Sequence, residues 1–461
     1  QISRQGTLIN TDFVDNSGGV DCSDHEVNLK TLLSQEVRSR RIGFDERNQI
    51  LENVQEDVCE LVLSNNREQG LLLGLDEIRS HSDPFSFERI ISVLEDRGFI
   101  NRVEQSLPTP EELAQRHAEG HSLTRPELAV IAAHSKMDVY QRLLQQPEGR
   151  VAEERMLFEY FPEQIRQRFP EAIRSHQLRR EIAMTVITNR VINRAGSSFF
   201  LDMERETGRS VGHVAQSYLV ADDLVGAESM RKGIHSLTQI DADVIDTALV
   251  RIEECLRRAA AWLLSTHDDD RLGRIESLIS EGVSPLQEYE ESIPGCLAVP
   301  EQDRFNNYVT QAMESGFPLD LATRLAKFEY LTAGVRILDV SNTSGLKVET
   351  VARVYYLLGN ESGLHPLVRK CDESVFSGRW DSLSMRILRN TILDGLWALV
   401  ARICESSKDS DSISWIEESV EAQRSRPSFR ALESDIRRIG SEELSIASVQ
   451  VLSVRFRRLV E

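Results

Sequence analysis

The sequence predicts a mainly all-α fold, built from many helices in more than one subdomain. From Phe44 onward, apolar residues recur at steps of three and four positions, which is the period of a helix with one buried face. Proline, glycine and serine separate these segments, as expected of connections between helices. With 461 residues, the chain also exceeds the length over which one core keeps growing, so several subdomains are expected.

The beginning of the chain differs, because it predicts a strand, a tight turn and a helix start. Residues 7–10 are a short β-prone run, and residues 15–19, Asp-Asn-Ser-Gly-Gly, have the composition of a turn in which glycine takes a positive φ. Ser23 and Glu26 have the S-x-x-E spacing of a capping box. A helix is therefore expected to begin near Ser23 and to run into the late thirties.

Such a helix start would form an anion site, because its unpaired backbone N–H groups and partial positive charge stabilise a carboxylate or phosphate. The Ser23 hydroxyl could cap the helix and donate its proton to a ligand at once. Capping alone is the simpler alternative. A further alternative is a metal site with the ligands Asp21, Cys22, Asp24, His25 and Glu26. It is disfavoured, because no C-x-x-C or H-E-x-x-H spacing is present and the helix dipole already accounts for the acidic residues.

Several later helices have clear local signals. A cap residue followed closely by proline predicts helix starts at residues 83–84, 109–112 and 124–127. The segment 128–143 has little charge on any side, so deep burial is expected. Long helices are expected after His176 and within residues 241–267, and Asn65 and Asn66 suggest an interruption in the helix that begins near Ile50.

One helix carries a second, uncharged stripe formed by Thr185, Asn189 and Asn193. Such a stripe is typical of a hydrogen-bonded network between helices, and contact with a cofactor is the alternative. Cys59 and Cys255 lie within apolar helical patterns, so both are expected in the core.

Composition narrows the class of protein. The net charge of −20 and the pI near 5.1 argue against a nucleic-acid or anionic-membrane surface and favour a soluble, cytoplasmic protein. No apolar run approaches the roughly 20 residues that span a bilayer. The six cysteines have no short-spaced pair, so free thiols and no metal are expected. A DNA-binding helix-turn-helix at residues 337–355 is disfavoured by the acidic chain and the few basic residues on its second helix.

A resemblance adds a specific function. Residues 9–12, Ile-Asn-Thr-Asp, and residues 15–28, Asp-Asn-Ser-Gly-Gly-Val-Asp-Cys-Ser-Asp-His-Glu-Val-Asn, resemble the end of the catalytic domain in the large, NAD-specific bacterial glutamate dehydrogenases. The segment is similar, more distantly, to Asn-x-Gly-Gly-Val-x-x-Ser-x-x-Glu of the small hexameric glutamate dehydrogenases. Residues 125–130, 178–182 and 191–194 also resemble the C-terminal helical region of the large enzymes, so the resemblance covers most of the chain.

The resemblance implies a role for four residues. Ser23 would contact the side-chain carboxylate of glutamate, and Asn16, Gly18 and Gly19 would lie near the nicotinamide of NAD. It assigns no role to Asp21, Cys22, Asp24 or His25, which match the large enzymes. Residues 1–42 would then be the last strand-turn-helix of a Rossmann-like catalytic domain, followed by helical subdomains at 43–150, 151–300 and 301–461.

The implied reaction is the oxidative deamination of L-glutamate to 2-oxoglutarate and ammonia with NAD. The family's catalytic lysine and aspartate have no matching motif here, and no G-x-G-x-x-G loop follows a strand. The chain lacks an initiating Met, so we expect a piece of a larger enzyme, with an upstream catalytic domain and identical subunits as partners. The alternative is a helical interaction or oligomerisation module without enzyme activity.

Overall fold

The computed structural model describes residues 3, 9–147, 152–265, 269–280, 286–374, 380–406 and 412–460. Every regular element in these ranges is a helix, which confirms the prediction of a mainly all-α chain. Two compact units can be distinguished, Gln1–Leu219 and Val220–Glu461. The finer division into four segments stays a prediction.

The first unit contains twelve complete helices among its described residues. Helix α13 (Val211–Leu224) begins in the first unit and ends in the second. The twelve are α1 (Asp12–Asp15), α2 (Ser17–Arg38), α3 (Phe44–Asn53), α4 (Gln55–Ser82), α5 (Pro84–Asp96), α6 (Pro110–Ala118), α7 (Arg125–Leu144), α8 (Glu153–Tyr160), α9 (Glu163–Arg168), α10 (Pro170–Arg174), α11 (Arg179–Ala195) and α12 (Phe199–Thr207).

The second unit continues the helical pattern. Its described helices are α14 (Ala227–His235), α15 (Ala242–Ser265), α16 (Asp269–Ser280), α17 (Gln287–Cys296), α18 (Val299–Glu314), α19 (Leu319–Ser344), α20 (Val348–Glu361), α21 (Leu364–Glu373), α22 (Asp381–Glu405), α23 (Ile413–Arg424), α24 (Pro427–Ser441) and α25 (Ile446–Val460).

The start of the chain differs from the predicted strand, turn and helix. Ile9 and Asn10 belong to no strand, and the rest of the predicted strand lies outside the described residues. Helix α2 begins at Ser17 instead of Ser23, so the predicted turn glycines occupy its first turn. Neither Gly18 nor Gly19 has a positive φ. The prediction of a capping box at Ser23 is therefore wrong, because Ser23 lies inside a continuous helix.

Contacts with α4 explain why the helix includes two glycines. Glycine in a helix costs about 1 kcal/mol relative to alanine, so the first turn of α2 needs support from elsewhere. Asn66 supplies it by donating to Ser17 Oγ at 2.7 Å and to the Val14 carbonyl at 3.2 Å. Gly18 lies against Val62, whose Cγ1 would be 3.6 Å from an added Cβ. Tertiary contacts thus override the local turn preference.

The expected interruption at Asn65 and Asn66 is also wrong, because α4 runs without a break from Gln55 to Ser82. Both amides donate to groups of α1 or α2, so they do not compete for the backbone of α4. Cys59 on the same helix is exposed, contrary to the prediction, whereas Cys255 is buried as predicted.

Helices with a local start signal begin where the sequence predicts. Asp83 accepts from the Ser86 N–H ahead of α5, and a capping box links Thr109 and Glu112 ahead of α6. At α7, the Glu127 carboxylate accepts from the Thr124 N–H at 2.8 Å. The apolar faces of these three helices share a buried core, which includes Phe87, Ile91, Leu113, Leu128 and Ile131.

The polar stripe on α11 is not one buried network. Thr185 is exposed, and its hydroxyl donates to the Glu181 carbonyl of its own helix. Asn193 is buried and donates to Glu68 on α4 at 3.4 Å. The stripe therefore divides into a solvent-facing end and an interhelical end.

Long helices form the second unit, and small residues let them approach closely. A Cβ added to Gly334 on α19 would lie 2.7 Å from Leu286 and Tyr289 side-chain atoms. Gly345 has a φ of 73° and ends α19. Nowhere in the described ranges is a helix both long enough and apolar enough to cross a bilayer.

Candidate functional site

Helix α2 exposes three of the four predicted site residues on one side. At 100° per residue, Asn16, Gly19 and Ser23 lie along the same stripe of the helix as Val20 and Val27. All five are exposed. We refer to these five residues as the open face of α2.

The open face is apolar as well as polar. Val20 is 69% exposed and Val27 is 55% exposed, although both residues lie on a helix that packs well on its other side. Within the described chain the Ser23 hydroxyl makes no hydrogen bond, so its proton is available to a ligand. A hydroxyl between two apolar side chains suits a ligand with a methylene chain and a terminal carboxylate.

Gly18 does not share this face. It lies on the side of α2 that contacts α4, next to Val62. Gly19 does reach the open face, where a Cβ would lie 2.8 Å from Asn16 Oδ1. The two glycines therefore have different surroundings: Gly18 packs against a neighbouring helix, and Gly19 lies beside the Asn16 side chain on the open face.

A closed ring of hydrogen bonds fixes a second side of α2, next to the open face. Tyr160 Oη donates to Asp24 Oδ2 at 2.7 Å, and Asn28 Nδ2 donates to Tyr160 Oη at 2.9 Å. Asn28 Nδ2 also approaches Asp24 Oδ1 at 3.2 Å. Burial, followed by the nearby Asp24 carboxylate, raises the pKa of Tyr160, so this phenol stays protonated and remains a donor. The ring joins α2 to the end of α8.

His176 adds a further bond to the same turn of α2. Its Nδ1 accepts from the Leu178 N–H at 3.1 Å, which leaves the proton on Nε2. Nε2 therefore donates to the Asn28 carbonyl at 3.2 Å. Burial lowers the pKa of His176, so the ring is neutral and this tautomer is kept.

His25 lies between the ring and α4. It stacks on Tyr160 with ring centroids 4.2 Å apart and an angle of 16°. Its Nε2 is 3.8 Å from Asp21 Oδ1, which is too far for a hydrogen bond. Asp21 instead accepts from Asn65 Nδ2 at 2.8 Å. Burial lowers the pKa of His25 against the opposing pull of Asp21 and Asp24, and burial raises the pKa of Asp21.

These contacts supply a structural role for three residues to which the resemblance assigns none. Asp21, Asp24 and His25 attach α2 to α4 and α8, and Cys22 is exposed. Their partners Tyr160, His176, Asn65 and Asn66 are distant in sequence, and no motif or spacing predicts them. The one sequence signal for these hydrogen bonds is that positions 21, 24, 25 and 28 are polar on a helix side that is otherwise apolar.

We expect Tyr160→Phe to destabilise the first unit by about 1 to 3 kcal/mol, because the ring loses the group that both donates and accepts. Tyr140→Phe is the matched control, since the Tyr140 hydroxyl makes no hydrogen bond within the described residues. Urea or thermal unfolding measures both variants. Equal stability of the two variants would show that the ring contributes nothing to the attachment of α2.

Acidification is expected to weaken the packing around His25. The folded state holds the pKa of His25 below its usual value of 6.5, so the unfolded state binds more protons as the pH falls through that value. The free energy of unfolding should therefore decrease between about pH 7.5 and about pH 5.5. His25→Phe keeps a stacked ring without a titratable group, so its decrease should be smaller than that of the wild type. An unchanged decrease would contradict this assignment.

Comparisons with known proteins extend these observations. A family model described as "Glutamate dehydrogenase, C-terminal" matches residues 120–456, and one described as "Bacterial NAD-glutamate dehydrogenase, catalytic domain" matches residues 1–76. The NAD-specific glutamate dehydrogenase of Pseudomonas aeruginosa is 31% identical over 397 residues, which are 85% of this chain and 24% of that protein. The enzyme of the same name from Mycobacterium tuberculosis is 29% identical over 466 residues, 99% of this chain and 28% of that protein.

The chain spans about a quarter of the length of these curated relatives. The C-terminal family model covers most of the chain, and the catalytic-domain model covers the whole of α2 and its attachment to α4. The opening residues thus match the catalytic domain of these enzymes, and the later helices match their C-terminal region. The chain belongs to the family of bacterial NAD-specific glutamate dehydrogenases.

Proposed function

We propose that the chain is the C-terminal portion of an enzyme that oxidatively deaminates L-glutamate to 2-oxoglutarate and ammonia. In this proposal the open face of α2 is one wall of the substrate site. The observation that supports it most directly is the exposure of Ser23 between Val20 and Val27 on a helix that is held by hydrogen bonds to Tyr160.

Ser23 is the proposed substrate-binding residue. Its hydroxyl would donate to the side-chain carboxylate of glutamate, while Val20 and Val27 would contact the methylene groups of the substrate. Because Ser23 lies inside α2 and caps nothing, no backbone N–H competes for its oxygen. The family's serine is matched at this position in the sequence.

The residues proposed near NAD are Asn16, Gly18 and Gly19. Gly19 is exposed and has no side chain, and Asn16 Oδ1 lies beside it, so a flat ring near Gly19 would also contact Asn16. Gly18 would act through the packing of α2 on Val62 and not through contact with the cofactor. Bound NAD would accept the hydride from the α-carbon of glutamate. The groups that hold most of NAD, and the catalytic lysine and aspartate, would belong to the upstream catalytic domain.

The remaining helices are proposed to act in packing, assembly or regulation of a cytoplasmic homo-oligomer. Six cysteines without a disulfide are compatible with a reducing compartment. By this proposal the 461-residue chain alone has no turnover with glutamate and NAD, since nothing in it resembles the catalytic lysine or aspartate motifs.

In the full-length enzyme, Ser23→Ala should lower kcat/KM for glutamate by a factor of about 10 to 150, the equivalent of about 1.5 to 3 kcal/mol for one hydrogen bond to a charged group. The KM for NAD should change little. The thermal midpoint should stay constant or rise slightly, because alanine is favoured over serine inside a helix by up to about 0.7 kcal/mol.

Ser64→Ala is the matched control, because Ser64 is also an exposed serine inside a helix without a hydrogen bond to another described residue. Its kinetics should equal those of the wild type. Steady-state kinetics with varied glutamate and varied NAD separate the two effects. If Ser23→Ala and Ser64→Ala gave the same kinetics, Ser23 would not bind the substrate.

A further inference from the structure

The second unit contains a cavity of about 100 Å³ among α15, α19, α20 and α22. Exposed Ser265 and Asp394 lie at its mouth, and buried Tyr355 and Trp397 lie at its floor. Three arginines from three different helices line it: Arg258, Arg336 and Arg389. We refer to it as the arginine cavity.

Among the described residues that line the cavity, positive charge is in excess, because three arginines face one carboxylate. Asp394 pairs with Arg336 and is the single carboxylate lining the cavity among the described residues. Asp372 pairs with Arg389, because its Oδ1 lies 2.9 Å from Arg389 Nε and its Oδ2 lies 3.0 Å from Arg389 Nη2. Its Oδ2 also lies 3.5 Å from Arg258 Nη1. Asp372 and Asp394 are thus the carboxylates paired with these guanidinium groups, and Glu254 and Glu329 also act on Arg258 at longer range. Burial, together with the nearby Arg389, lowers the pKa of Arg336 despite the opposing pull of Asp394.

Other acidic groups do not face this cavity. Glu301, Glu329 and Asp372 line a second cavity of about 120 Å³, which shares Arg258, Arg389 and Tyr355 with the first. Glu329 is paired with Arg251. Acidic residues therefore concentrate on one side of Arg258 and Arg389. The side facing the arginine cavity is left positive.

Aromatic rings hold the arginine cavity in shape. Tyr355 stacks on Trp397 with centroids 4.2 Å apart and an angle of 9°. The Arg336 guanidinium lies 5.5 Å from the Trp262 ring centroid and 5.9 Å from that of Trp397, so its position is restricted. The Tyr355 hydroxyl makes no hydrogen bond within the described chain, and it is a donor at the cavity floor.

We propose that the arginine cavity binds a phosphate group through Arg258, Arg336, Arg389 and the Tyr355 hydroxyl. Guanidinium groups present forked N–H donors that match the oxygens of phosphate, and a buried Arg389 loses little side-chain entropy on binding. The volume suits a group the size of inorganic phosphate. The group is therefore either free phosphate or the terminal phosphate of a nucleotide whose remainder stays outside the mouth.

Isothermal titration of the full-length protein with inorganic phosphate, at constant ionic strength and with chloride as the reference, tests this proposal. We expect saturable binding of phosphate. Arg336→Met keeps the aliphatic stem between the two tryptophans and should weaken phosphate binding about tenfold or more. Tyr355→Phe removes only the hydroxyl and should weaken binding about tenfold, with the helical circular dichroism spectrum retained.

Arg353→Met is the control, because Arg353 pairs with Glu349 of its own helix and does not line the arginine cavity. It should bind phosphate like the wild type. Titration with ADP distinguishes the two sources. If ADP binds more tightly than phosphate, and if Arg336→Met weakens the binding of ADP, the site is assigned to a nucleotide phosphate. Failure of phosphate and ADP to bind, or binding unaffected by both Arg336→Met and Tyr355→Phe, would overturn the proposal. Neither result depends on the role of Ser23.

Discussion

The hydrogen-bonded ring of Asp24, Asn28 and Tyr160 is the interaction on which the open face of α2 depends. A helix can present side chains to a ligand at a fixed position only if another side of it is held. Here the holding groups are polar: Asn28 and Tyr160 are buried, and Asp24 is exposed. Buried polar groups are stabilising when each finds a partner and costly when one is removed.

The first turn of α2 shows how local and tertiary preferences compete. Residues 15–19 have the composition of a turn, and Ser23 with Glu26 has the spacing of a cap. The structure continues the helix through both, because Asn66 holds Ser17 and Val62 packs against Gly18. Neither partner is visible within a short window of sequence. The starts of α5, α6 and α7 are predicted correctly, because their caps and prolines act within four residues.

The candidate site could be predicted in part for the same reason. The resemblance of residues 15–28 to glutamate dehydrogenases implied Ser23, Asn16 and Gly19 as site residues, and the structure brings these three to one exposed face. Gly18 belongs to the same motif but packs against α4, since two consecutive glycines on a helix point about 100° apart. The arginine cavity gave no signal in the sequence. Its arginines lie on three helices, separated by more than fifty residues in each case, so only the packing of the second unit brings them together.

The central claim is that the open face of α2 binds glutamate, and a structure of the full-length enzyme with bound glutamate tests it most directly. The measurement is the distance between Ser23 Oγ and the side-chain carboxylate of the substrate. The account predicts a hydrogen bond of about 2.5 to 3.0 Å, with Val20 and Val27 against the methylene groups. A glutamate carboxylate held entirely by other residues, with Ser23 still facing solvent, would contradict it.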